Sequence, residues 1–171
     1  MLKRWISFGS TLVLTVSLLL LCGCQMELPE VSETKTTRTE LVLLDVDITT
    51  LLTKAEMEET LGVTLRDPQV SNERRTLFAL AQEGGVSVSI SVEHRTIEEF
   101  RNALPKVEGE ELQAAPNLAD EAWWLSSGRT LFLFCRGYTA SIGISDRDAD
   151  EETVLYMARQ LAMTLCNRLP A

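Results

Sequence analysis

One histidine, His94, is all the imidazole this 171-residue chain contains, and no Cys-x-x-Cys spacing occurs in it. Zinc centres draw on clustered cysteine and histidine ligands, so no metal site is expected. The nucleophile elbow Gly-x-Ser-x-Gly is also missing, and His94 follows a strand pattern with no catalytic partner in view, so it reads as a solvated strand-end side chain. Basic residues are few, 16 against 25 acidic, for a formal net charge of −9. A phosphate backbone asks for a basic stripe that this sequence does not supply, which argues against nucleic acid as a partner. The same balance argues against a domain lying flat on an anionic membrane surface. Carboxylates are so numerous that no single pair stands out as acid and base. No cofactor and no enzymatic activity are expected.

Charge is absent from one stretch altogether. Lys3 and Arg4 precede an uncharged run from Trp5 to Leu21, the layout of a secretory signal peptide. The run ends in Leu18-Leu19-Leu20-Leu21-Cys22-Gly23-Cys24. This resembles the bacterial lipobox, with Leu21, Cys22 and Gly23 as the cleavage motif and Cys24 as the cysteine that receives the lipid. Cleavage before Cys22 instead would place Leu21 where a small residue is required, so residues 1–23 are expected to leave and Cys24 to become the N-terminus. An uncleaved anchor is the alternative, since 17 uncharged residues barely cross a ~30 Å hydrocarbon layer. Two or more acyl chains, at ~0.8 kcal/mol per buried methylene, hold a chain to a bilayer essentially permanently. On either reading the rest of the protein is membrane-attached on the extracytoplasmic face.

Loss of the leader leaves 148 residues and, with Lys3 and Arg4 gone, moves the net charge from −9 to −11. That length suits one domain with a proper core. Residues 24–40, lipidated Cys24 followed by QMELPEVSETKTTRTE, have no aromatic residue and read as a flexible tether spanning ~20 to 25 Å. The domain is then 41–171. Of four cysteines only Cys135 and Cys166 remain inside it. Export permits a disulfide between them, but free cysteine is itself a small core residue, and two buried thiols are the favoured reading.

Within the domain, Leu41–Leu44 suggests a first strand or a hydrophobic staple. Thr53-Lys54-Ala55-Glu56 is a capping box opening a short helix that stops at Gly62. Strands are expected at Val63–Leu65 and Thr76–Gln82, with a turn at Gly84-Gly85. Val86, Val88, Ile90 and Val92 alternate with Ser87, Ser89 and Ser91, the signature of a strand buried on one face. A second capping box at Thr96–Glu99 begins a helix that Pro105 ends, and 106–119 reads as a loop. Three strands follow, Ala122–Leu125, Thr130–Arg136 and Thr139–Ser145, and then a long helix over 151–169 with Leu155, Ala158, Ala162, Leu165, Cys166 and Leu169 on one stripe. The order is helix, three strands, helix, three strands, helix. It predicts an α+β two-layer domain, an antiparallel sheet with the helices packed on one face.

Asp146, Asp148 and Asp150 alternate like the start of a calcium loop, but Glu151 and Met157 occupy the positions of the required glycine and bidentate glutamate, so these acids read as helix caps. Trp123-Trp124 is the most unusual pair. On a strand one ring points into the core and the other outward, where it is a candidate binding surface. The serine-rich strand faces can be simply wet or can line a shallow concavity.

The stretch Leu51-Leu52-Thr53-Lys54-Ala55-Glu56 with Gly62, and Asp120-Glu121-Ala122-Trp123-Trp124 followed by two strands and a terminal helix, resembles a broad group of small bacterial lipoproteins of unknown function. Their domains start LLT-x-AE and carry a GDEA-aromatic-W stretch; Ala119 stands where they have glycine. The resemblance covers residues 48–169 and implies an extracytoplasmic sensor or ligand-binding module with no catalytic residues to carry over. The expected function is a lipid-anchored envelope domain that binds a protein or a small ligand. A carboxylate-based envelope hydrolase and a purely structural envelope lipoprotein are the alternatives.

Overall fold

A computed structural model describes residues 47–71 and 75–170, all within the unit Glu40–Ala171. The leader, the Leu21–Cys24 motif, the tether and the Leu41–Leu44 run lie outside the described residues.

The chain belongs to the α+β class. Its elements run α1 (Ile48–Leu51), α2 (Lys54–Leu61), β1 (Gln69–Ser71), β2 (Thr76–Leu80), β3 (Ser87–His94), α3 (Ile97–Ala103), β4 (Gln113–Ala114), β5 (Glu121–Leu125), β6 (Thr130–Cys135), β7 (Tyr138–Ser145) and α4 (Glu151–Arg168). The strands form one seven-stranded sheet in the order β1-β2-β3-β7-β6-β5-β4, antiparallel throughout. The two strands with serine alternation, β3 and β7, are the longest and sit together at its centre, paired from Ser87↔Ser145 to His94↔Tyr138.

Period-two patterning sends Val88, Ile90 and Val92 of β3, Ala140, Ile142 and Ile144 of β7, and Leu131, Leu133 and Cys135 of β6 to one face, where all are buried. Against that face lies α4, whose buried stripe is Val154, Ala158, Leu161, Ala162, Leu165 and Cys166. The expected stripe was off by one at its start: Leu155 is half-buried, and Val154 and Leu161 point inward instead. Asp150 caps this helix, its carboxylate accepting from the Thr153 amide at 2.8 Å, as the acidic cluster suggested. Asp146 does a similar local service, accepting from the amides of Asp148 at 2.9 Å and Ala149 at 3.3 Å.

Both capping boxes form. Thr53 and Glu56 exchange bonds at the start of α2, and Thr96 and Glu99 at the start of α3. Arg168, in the last turn of α4, then donates to the Leu51 carbonyl at 3.1 Å and to Glu56 at 2.9 Å, tying α1 and α2 to α4. The Arg168 guanidinium and the Thr53 donors together lower the Glu56 carboxyl to about 2.

The order of elements departs from the expectation in three places. Residues 63–65 keep only an isolated bridge, Leu65↔Ala81, because Asp67-Pro68 follow at once and proline has no amide to continue a ladder. The strand that pairs with β2 is β1, beyond that proline. A two-residue edge strand, β4, forms inside the expected 106–119 loop. Between Thr53 and the start of the described chain the short α1 is an added helix, capped by Asp47.

The helices are not all on one face. Phe100 of α3 packs against Phe134, centroids 5.9 Å apart, and Phe134 projects from β6 away from α4. Topology requires this. The chain must travel from β3 in the middle of the sheet to β4 at its far edge, and the face toward α4 is already filled by helices. Phe100 and Leu125 accordingly are buried outside the main core cluster.

Candidate functional site

The face turned away from α4 is ordered by the strand registers into rows. One row runs Thr76, Ser91, Ser141, Phe132, Trp123; the next runs Phe78, Ser89, Gly143, Thr130, Leu125. Glu93, Thr139, Phe134 and Glu121 form a third row at one end, and Leu80, Ser87 and Ser145 a fourth at the other. The result is a central strip of small hydroxyl side chains on β3 and β7. Apolar side chains border it on both sides, Phe78 and Leu80 from β2 and Phe132 and Phe134 from β6.

Two hollows lie along this strip. The first, about 160 Å³, is roofed by Phe100 and Ala103 of α3 and by Leu104 just beyond it, and floored by Ser91, Ser141, Thr139 and Phe132, with Glu93 and Arg95 at its mouth. The second, about 240 Å³, is bounded by Ser87, Ser89, Thr130, Arg129 and Gly143. Gly143 is what keeps the second hollow open. A Cβ at this position would come within 2.8 Å of the Ser89 hydroxyl and 3.4 Å of the Thr130 hydroxyl, so any side chain here would stand in the trough.

Several polar groups of the trough are paired within the protein. Ser91 and Ser141 share a hydroxyl–hydroxyl bond of 2.7 Å, and the Thr139 hydroxyl donates to the Glu93 carbonyl at 3.3 Å. Arg95 donates through Nε to the Glu93 carboxylate at 2.7 Å, which neutralises the one acid at the mouth. Arg129, held with a positive φ of 44° in the β5–β6 turn, donates to the Asp146 carbonyl. The hydroxyls of Ser91 and Ser141 are thus bonded to each other, and the Glu93 carboxylate is matched by an arginine.

The tryptophan pair divides as its strand position required. Trp124 is buried, 1% exposed, and its indole donates to Glu151 at 2.9 Å. Trp123 is half-buried on the open face, level with Phe132, and donates to Glu121 at 2.8 Å, where Arg101 of α3 also bonds at 2.8 Å. The trough is therefore built from residues of β3, β7, β6 and α3, with Trp123 one strand away from Phe132 and Trp124 on the opposite side of the sheet. His94 is exposed and meets Tyr138 edge-on at 5.4 Å.

No protein-family model, no curated protein and no solved structure matches this chain.

Cys135 and Cys166 are both free thiols and both buried, where β6 ends against the last turns of α4. Burial, and then the neighbouring Cys135, push the Cys166 thiol up to about 12. Among the described residues no group of three or more His, Cys, Asp and Glu side chains converges as a metal site would require.

Sequence reasoning reached the serine strip but not what surrounds it. The aromatic border and the α3 roof depend on which strands neighbour β3 and β7, and on the face that α3 crosses. Neither is written in local periodicity. Arg129 and Gly143 carried no motif, although Gly143 interrupts an otherwise regular alternation of small polar residues.

Proposed function

We propose that this protein is a lipid-anchored, extracytoplasmic binding domain of the bacterial envelope. Its ligand is a narrow, uncharged molecule rich in hydroxyl or amide groups, held along the β3/β7 trough. The observation that carries this reading is the pair of hollows in line along one hydroxyl-floored, aromatic-bordered strip. Each alone is smaller than the ~300 Å³ at which compact small-molecule sites begin. Their centres are set about four residues apart on β3, roughly 13 Å at ~3.3 Å per residue, so they suit successive groups of an extended ligand better than one compact molecule. The matched Glu93–Arg95 pair favours a neutral ligand, and the aromatic edge of Phe132 gives a ring or an acyl group a surface to lie on.

The anchoring part of the proposal rests on the leader and the Leu21–Cys24 motif. The non-enzymatic part is supported by the carboxylates. Every Asp or Glu with a resolved shift, namely Glu56, Glu99, Glu110, Glu121, Asp150 and Glu151, is held below its ordinary range by hydrogen bonds or an arginine. A general acid working near neutrality needs the opposite. A second reading, a protein partner docking on the same face, is favoured by Phe78 and Leu80, exposed at 39% and 41% on neighbouring rows of β2.

The test is Gly143→Val. The β-branched side chain suits a strand and fills the second hollow, beside Ser89 and Thr130. Detergent-extracted full-length protein is examined for retained small molecules by mass spectrometry. Loss of the molecule from a folded Gly143→Val variant supports the trough, and equal retention by both proteins removes it from consideration.

A further inference from the structure

We propose that Cys135 and Cys166 are joined by a disulfide in the mature protein, and that this bond is a permanent staple between the sheet and α4. Both thiols are buried where the end of β6 packs against the last turns of α4, and Cys135 is near enough to act on the Cys166 thiol. They are brought there by elements that are themselves well fixed. Cys135 is the last residue of β6 and pairs with Tyr138 across a two-residue turn, Arg136-Gly137, in which both residues have positive φ, 54° and 80°, the type I′ geometry of tight hairpins. Arg136 then reaches the end of α4, donating to the Leu169 carbonyl at 2.8 Å, and its own amide donates to Asp120 at 2.9 Å. The turn, the strand end and the final turns of the helix thus hold one another in place around the two sulfurs.

Formation of the bond removes one proton from each thiol and two electrons from the pair. The electrons reduce the disulfide of an exported thiol–disulfide oxidant to two thiols, through a mixed disulfide on one cysteine that the other then displaces. Attack by Cys166 requires its thiolate, which its burial disfavours in the finished fold. The exchange therefore belongs to folding or to fraying of the last helical turn, before both sulfurs are covered. For the same reason the bond, once closed, is shielded from attack by an external thiolate. A cycling redox pair would instead be exposed, with a lowered thiol.

The oxidant is available only if the chain is exported, so the inference rests on the extracytoplasmic reading. Its test separates the two. Full-length protein is taken from its own host under acid quench, unfolded, alkylated with N-ethylmaleimide, digested and analysed by mass spectrometry. The expected product is a peptide pair joined through Cys135 and Cys166, lighter by two hydrogens than the two thiol peptides, together with an acylated Cys24 peptide. Two maleimide-labelled cysteines on a chain whose Cys24 is acylated overturn the staple and leave export standing. If Cys24 is not acylated and both thiols are labelled, anchoring fails, and the reduced, purified full chain is then treated with oxidised glutathione. A Cys135–Cys166 bond accompanied by a Tm rise of roughly 15 °C supports the staple, as expected for closing a loop of about 30 residues, whereas mixed glutathione adducts or unchanged thiols overturn it.

Discussion

Adjacent tryptophans on one strand should respond very differently to the same substitution. Trp124→Ala empties a fully buried site in the layer between β5 and α4 and takes away the donor that Glu151 uses at 2.9 Å. Truncating a buried Trp costs about 3–5 kcal/mol, the transfer term and the residual cavity together. Unfolding the 121 described residues carries an entropy of about 0.25 kcal/mol per kelvin at Tm, from ~2.1 cal/mol/K per residue, so Tm should fall by roughly 12–20 °C. Trp123→Ala removes a half-buried ring from the open face, and Glu121 keeps its bond to Arg101. Half the burial is worth about 1–1.5 kcal/mol, a fall of roughly 4–6 °C. Far-UV circular dichroism melts of the two variants beside the parent decide the matter. Equal falls, or a larger fall for Trp123→Ala, would refute the assignment of Trp124 to the core and Trp123 to the open face.

Glu56 makes stability acid-sensitive. Its folded carboxyl, at about 2, lies below the ordinary value of 4.5, so its contribution is fully present above pH 4.5 and is lost as pH falls from there toward 2. The side chain is 31% exposed, so solvent screening trims this to about 1 kcal/mol, and Glu56→Gln should melt about 4 °C below the parent at pH 7 with the gap closing by pH 2. A gap that stays constant across that range would show that the Arg168 ion pair is not its source. Asp150→Ala, which uncaps α4, should lower the midpoint of a denaturant titration with an unchanged m-value, and an unaltered midpoint would mean that the cap contributes nothing. Gly143→Ala should be nearly silent in stability, below about 1 kcal/mol, because the nearest atom is the Ser89 hydroxyl, which can rotate away; a large loss would mean that the trough is rigid there.

Local signals in the sequence located most of the elements. The capping boxes at Thr53 and Thr96, the acids before α4 and the valine–serine alternation of β3 each express one physical rule acting over a few residues, and each appears where the rule puts it. What local rules do not contain is neighbour identity. The strip of hydroxyls becomes a trough only because β7 lies beside β3 across 50 residues of chain, from Ser91 to Ser141, and because α3 must cross the face that α4 leaves open. Pro68 shows the same limit at smaller scale: the apolar Val63–Leu65 run reads as a strand, and the missing amide five residues beyond Val63 moves the pairing to Gln69–Ser71. The tryptophan pair was legible as one in and one out, while the choice between them depended on which face of β5 receives α4.

The central claim is that the β3/β7 trough holds a neutral extended ligand. Its most direct test is native mass spectrometry of the full-length protein, extracted in detergent from its own host, beside Gly143→Val prepared identically. The account predicts an added mass on the parent protein that is absent from a variant with parent-like circular dichroism. The same added mass on both, or none on either, would contradict it.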